Sequence, residues 1–275
     1  MLDEIHDDTL KPSHDPNTYS LGSVGQHNVV IACGPHSNQS RPDIAAIVVW
    51  MTSMFPAIRL CMLIGLGSGI PPKVKLGDVV VGVPYSWFPG VVQWERGENG
   101  GFRKTEEMEP PPSTLISALT KLQSIHELYG SSIPEYLAKI QQNKRLASKY
   151  LVSDSLQDHE STKSGPRETE VHYGLIANTT LRIRDKSTRE EFNLSLGGER
   201  LLCIDMEGSI LMPKLPCIVI RGICNYADGH RDGYEGWEEP AAAACAAFAK
   251  EVLSVLPEAE VAGRLTIKSL GTSVF

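Results

Sequence analysis

Residues 201–228 read LLCIDMEGSILMPKLPCIVIRGICNYAD, and the reading of this stretch decides the fold. Two apolar runs, 201–204 and 216–223, bracket the polar cluster Asp205-Met206-Glu207-Gly208, and the second run ends in Arg221-Gly222-Ile223-Cys224-Asn225. Short apolar runs bounded by polar residues are buried strands, so the stretch predicts a strand, a helix and a strand with polar groups massed at the strand ends. In open α/β sheets ligands sit outside the carboxyl ends of the strands, which makes the two polar clusters one candidate pocket. A purely structural use is also open, with Glu207 and Arg221 as an ion pair, because charged residues are seldom buried unless paired.

Working outward from this stretch, the pattern alternates between strand and helix. Residues 18–22 and 27–33 read as a hairpin joined by a turn with Gly22 and Gly25, after a polar segment 1–18 expected to be frayed. A loop at 34–40 leads through Pro42-Asp43 into a helix ending near residue 54, and 59–66 is the next buried strand. Gly65-Leu66-Gly67-Ser68-Gly69 then suggests a sharp backbone turn that lets a ligand approach closely. Strands at 79–81 and 90–94, helices at 113–128 and 134–150, a strand at 171–177 and a helix at 185–196 follow. The polar stretch 153–169 reads as a surface loop or lid, since it offers almost nothing to bury. A final Ala-rich helix spans 239–256 before a tail. One α/β domain over 1–257 with a C-terminal tail at 258–275 is the organisation expected.

The chain has 275 residues, 41% hydrophobic and 21% charged, enough for one large core. A net charge of -7 with no Lys/Arg cluster argues against nucleic-acid binding, where phosphate neutralisation supplies most of the affinity. Six cysteines sit mostly inside apolar runs without C-x-x-C spacing and read as reduced core residues. No run approaches the roughly 18 apolar residues of a membrane span, and MLDEIHDDTL does not have the character of a leader. The expectation is a soluble cytoplasmic protein with a small-molecule ligand, without cofactor, metal, nucleic-acid or membrane partner, and with homo-oligomerisation left open.

Several segments in consistent order carry a resemblance: Thr18-Tyr19, residues 27–33, Lys75-Leu76-Gly77-Asp78-Val79-Val80-Val81, Gly90-Val91-Val92-Gln93-Trp94, His172-Tyr173-Gly174-Leu175-Ile176-Ala177, Met206-Glu207 and Arg221-Gly222-Ile223-Cys224. Together they resemble the nucleoside phosphorylase and nucleosidase superfamily in its fungal form, over residues 15–257. The resemblance implies a central mixed, partly closed β-sheet flanked by helices, here with the family's first strand missing. It also implies cleavage of N-glycosidic bonds, which needs a proton donor at the purine N7, a clamp on the sugar hydroxyls and an apolar slot for the base.

Measured against that implied machinery, the sequence keeps some parts and lacks others. Met206 and Glu207 match the family's sugar clamp, and Asp205 stands where Glu is common. The family's acid is replaced by Asn225, and an amide cannot hand over a proton at neutral pH; some phosphorylases do use Asn there to hold 6-oxopurines. The loop carrying a water-activating Glu precedes the point where this sequence begins. Leu63 lies where phosphorylases carry a phosphate-binding Arg, which disfavours phosphorolysis. Asn178-Thr179-Thr180-Leu181-Arg182 replaces the base-slot segment, putting Arg182 at the base position, and residues 36–41 replace a Gly-Thr-rich loop. The candidate site is therefore Asn225, Glu207 and His36 as chemical groups, with Met206, Asp205, Arg182, Arg221, Gly67 and Ser68 as binding groups.

Three functions fit these residues. The first is a repurposed enzyme of biosynthetic type whose remaining polar groups orient and polarise a non-nucleoside, as in cyclisation, isomerisation or elimination. The second is a purine nucleosidase with an Asn-type base site. The third is a catalytically silent sensor.

Overall fold

The structure is a computed structural model that describes residues 1–9, 11–34, 44–86, 88–107, 109–152, 156, 158, 168–198, 201–205, 215–229 and 234–270. Its first layer is a three-stranded antiparallel sheet of β1 (Glu4–Ile5), β2 (Thr18–Val24) and β3 (His27–Cys33). The hairpin turns at Gly25, whose φ of 55° is the left-handed conformation a glycine adopts freely. Contrary to the frayed start expected from its polarity, residues 3–6 are tied down. Asp3 and His6 donate backbone N–H groups to Ser23 and Leu21, and Lys250 grips the Met1 carbonyl and the Asp3 carboxylate.

Seven strands make the main sheet: β4 (Cys61–Gly69), β5 (Val79–Gly82), β6 (Val91–Arg96), β7 (Phe102–Glu107), β8 (Val171–Asn178), β9 (Leu201–Asp205) and β10 (Cys217–Asn225). Their order is β5-β10-β4-β9-β8-β6-β7, and β5 pairs with β8 as well, Val79 beside Val171. Strands β5, β10, β4, β9 and β8 thus close on themselves, while β6 and β7 extend the sheet from β8. Parallel pairs (β10 with β4, β8 with β9) and antiparallel pairs (β10 with β5, β4 with β9) coexist, so the sheet is mixed and partly closed. Strand β7 was not foreseen. Its sequence, FRKTEE, is mostly charged and carries no period-2 apolar signal.

Alternation along β10 divides the core. Cys217, Val219 and Ile223 pack with Val80, Ile176 and Cys203, whereas Ile218 and Ile220 pack with Val79, Val81 and Phe248 on the helix side. Strand β4 corrects one expectation, because it does not end before the glycines but runs through them. A Cβ on Gly65 would lie 2.6 Å from Nη1 of Arg221, and one on Gly67 would lie 2.4 Å from Sγ of Cys203. The glycines are small so that larger side chains of neighbouring strands fit over β4, and no sharp turn is made there.

The helices flank this sheet: α1 (Ile44–Met54), α2 (Ser113–Tyr129), α3 (Ile133–Gln141), α4 (Lys144–Tyr150), α5 (Lys186–Ser195), α6 (Glu238–Val255), α7 (Glu258–Ala262) and α8 (Ile267–Leu270). Helix α2 buries Leu115, Leu119 and Leu122, the apolar stripe foreseen from spacing, each such side chain contributing about 1.5–3 kcal/mol. The single helix expected over 134–150 is split, because Asn143 accepts from the N–H groups of Arg145 and Leu146 and starts α4 afresh. Past residue 257 the chain forms α7 and α8, and Ile267 is buried with its N–H on the Ile58 carbonyl. No single described helix is long and apolar enough to cross a membrane.

Candidate functional site

Strand register gathers three of the candidate residues, Asn225, Ser68 and Asp205, into one row. Asn225 pairs with Ser68 across β10 and β4, Ser68 pairs with Ile204 on β9, and Asp205, next in β9, pairs with Asn178 on β8. A register shift in β10 between Ile223 and Asn225 is what brings Asn225 level with Ser68. Strands β8, β9 and β10 contribute their last residues and β4 its next-to-last, so the row lies at the strand ends.

The Asn225 amide is oriented by the protein. Its Oδ1 accepts from Ser68 Oγ at 2.5 Å and from the Ala227 N–H at 3.0 Å. With the oxygen so occupied, Nδ2 is the less committed end of the amide, its described contact being the weak acceptor Cys224 Sγ at 3.4 Å. Ala227 itself holds φ at 51°, an uncommon value for a residue with a side chain, which directs its N–H back at Asn225.

Arg221 and Asp205 behave differently. Both are 1% exposed, and Asp205 Oδ2 accepts from Nε at 3.0 Å and Nη2 at 2.5 Å. Arg221 therefore pairs with Asp205 at the end of β9, its own side chain lying in the space left by Gly65 and Gly67. The partner suggested from sequence for a structural ion pair was Glu207. Glu207, Met206 and His36 lie outside the described residues, as do most of the stretch 153–169 and the loop 36–41. Gly67 lies within β4 beside Ser68. Arg182 is exposed and, among the described residues, makes no side-chain hydrogen bond or ion pair.

The segment replacing the base slot is locked by a residue not singled out from sequence. Glu95 on β6 accepts from the Thr180 N–H at 2.7 Å, Thr180 Oγ1 at 2.8 Å and Thr179 Oγ1 at 3.3 Å, and from Gln93 Nε2 at 2.6 Å. A carboxylate meeting four donors is a rigid anchor. Behind Asn225, Tyr226 donates to Asp158 at 2.8 Å and accepts from the Leu76 N–H at 3.1 Å. Burial first, and then the Asp158 carboxylate, push the Tyr226 hydroxyl up from its ordinary value, so it stays a neutral donor. Burial likewise raises the thiols of Cys61 and Cys217 to about 12, and that of Cys203 further. These cysteines are not thiolate nucleophiles at neutral pH.

No protein-family model matches the sequence. The chain is 33% identical over 282 residues to a nucleotide-binding leucine-rich repeat (NLR)-like protein of Hyaloscypha variabilis; the match covers 93% of the chain but only 28% of that relative. Among solved structures it is similar to the 5'-methylthioadenosine/S-adenosylhomocysteine nucleosidase of Neisseria meningitidis in complex with methylthio-immucillin-A. That match has 14% identity, a TM-score of 0.54, and 93% of this chain and 92% of the other covered. It is also similar to the Helicobacter pylori nucleosidase in an aspartate-to-asparagine variant with 5'-methylthioadenosine in the active site. Here the identity is 13%, the TM-score 0.53, and the coverage 91% and 89%. The fold is that of the nucleoside phosphorylase/nucleosidase superfamily.

Proposed function

We propose that the strand-end row centred on Asn225 and Ser68, beside the closed Arg221–Asp205 pair, is a small-molecule site of nucleosidase ancestry that now acts on a non-nucleoside ligand without a cofactor. The observation that supports this most is the orientation of Asn225. Two donors hold its oxygen, so the amide offers N–H and matches an acceptor atom on the ligand. Such a fixed donor stabilises charge developing on a ligand oxygen or ring nitrogen, which suits cyclisation, isomerisation or elimination. It does not deliver the proton that departure of a purine needs.

The base slot supports a changed ligand. Thr179 and Thr180 are committed to Glu95, and Arg182 is exposed where the resemblance puts an apolar wall. Met206 and Glu207 remain the proposed clamp on ligand hydroxyls, with His36 as a further polar group, and the free state of all six cysteines suits a reducing, cytoplasmic setting. Adenosine and 5'-methylthioadenosine incubated with purified protein should release adenine at background rate. Turnover comparable to that of a dedicated nucleosidase contradicts the proposal and favours the Asn-type nucleosidase.

A second reading rests on the curated relative. The chain spans 28% of an NLR-like protein, which favours a module that reads a ligand for a larger chain without converting it. The two readings part on turnover, because a sensor leaves its ligand chemically unchanged.

A further inference from the structure

Outside the row just described, three ligating side chains converge where β5 and β8 begin. Val79 pairs with Val171 and Val80 with His172, which sets Asp78 beside Glu170 just before the strands. Residues two apart on a strand share a face, so His172 projects on the same side as Glu170. One ligating atom from each of Asp78, Glu170 and His172 lies within 4.8 Å of the other two. Two carboxylates directly opposite each other on neighbouring strands repel, and a positive centre between them removes that cost.

The buried member is preset. Asp78 is fully buried, its Oδ1 accepting from the Glu170 N–H at 3.1 Å and its Oδ2 from the Lys75 N–H at 2.9 Å. Backbone donors that orient a carboxylate in this way are what supports metal ligands in built sites. His172 Nε2 lies 2.8 Å from Asp78 Oδ2. Two ligands at about 2.0–2.1 Å from one tetrahedral ion lie about 3.3 Å apart, so the imidazole and carboxylate need separate by only roughly half an ångström. Glu170 is exposed, so the cluster reaches solvent, and three protein ligands leave a tetrahedral ion one position for water.

We propose that Asp78, Glu170 and His172 bind one divalent transition-metal ion of zinc type, with His172 coordinating through Nε2 and its ring proton carried on Nδ1. One imidazole with two carboxylates selects such ions over magnesium or calcium, which prefer oxygen alone. The bound ion clamps the turn that supports the end of β10. Gly77 donates to the Ile223 carbonyl at 2.8 Å, and Ile223 donates to the Asp78 carbonyl at 2.9 Å, two residues before Asn225. The proposal does not depend on what the strand-end row binds.

The test is a zinc titration of chelator-treated protein against a chromogenic chelator, in a Cys33→Ser background because Cys33 is the exposed thiol. One equivalent should bind, and His172→Ala and Glu170→Gln should each weaken it by about tenfold or more, since even outer-shell losses cost 10–100-fold. Glu170 is exposed, so its variant decides the question even where His172→Ala fails to fold. No uptake against the chelator, or affinity unchanged in either folded variant, overturns the proposal and leaves a His–Asp hydrogen bond only.

Discussion

Arg221 and Asn225 stand on the same strand, four residues apart, yet the protein treats them in opposite ways. Arg221 lies in a fully protein-lined setting, with Asp205 against its guanidinium and two glycines giving it room. Asn225 is half-buried at the strand end, and among the described residues the protein holds its oxygen with two donors while its Nδ2 meets only the weak acceptor Cys224 Sγ. The first is a polar group closed into the core. The second is a polar group held still and left open. A closed group signals architecture and an oriented, open one signals a ligand, although both read as strand-end polar residues in sequence.

The largest effect expected from this contrast falls on the closed pair. Asp205→Ala removes the carboxylate that meets Nε and Nη2 of the buried Arg221 guanidinium and should cost about 3–5 kcal/mol, read as a lower midpoint in urea. The double replacement Asp205→Leu with Arg221→Met should recover most of that loss, since well-packed apolar residues often replace a buried pair without penalty. A single variant as stable as the parent would place the pair on the functional side of the comparison.

A smaller effect is expected at the open group. Ser68→Ala removes one of the two donors on Asn225 Oδ1, for about 0.5–1.5 kcal/mol of stability, because the Ala227 N–H remains. Its functional effect should be larger than its structural one, since the amide then turns more freely and offers either end to a ligand. Ligand binding or turnover unchanged in Ser68→Ala, with only the melting temperature lowered, would break the distinction between the two groups.

Local pattern made much of this legible. The hairpin over 18–33, the leucine stripe of α2, the helix after Asp185 and the Ala-rich helix α6 each carry their signal within a few residues. Closure of the sheet followed from the family resemblance and not from local pattern, because β5 and β8 lie some 90 residues apart and nothing local encodes their pairing. The glycines of β4 misled for a related reason. Glycine marks a close approach, but only the neighbouring strands reveal that it is Arg221 and Cys203 that approach, not a turn or a ligand.

Within the site, Asn225, Ser68, Asp205 and Arg221 were legible because they end or interrupt apolar runs. The pairing of Arg221 with Asp205 was not, since register alone sets which carboxylate it meets. Glu95 escaped notice, and Thr179 and Thr180 were read only as part of the altered slot, because isolated polar residues on and just after a strand look the same whether solvated or tied together. His172 and Asp78 were visible only as parts of strand openings, and their convergence is a product of the β5–β8 closure.

The central claim is that Asn225 polarises a changed ligand and does not stand in for a lost acid, and Asn225→Asp tests it most directly. The restored carboxyl group would contribute roughly 10² to 10⁴-fold as a general acid only if a purine sits against it. With Thr179 and Thr180 committed to Glu95 and Arg182 exposed at the altered slot, release of purine from adenosine or inosine by Asn225→Asp should stay within a few-fold of the parent. A gain of about a hundredfold or more, the lower end of the general-acid range, would contradict the account and return the protein to the nucleosidases.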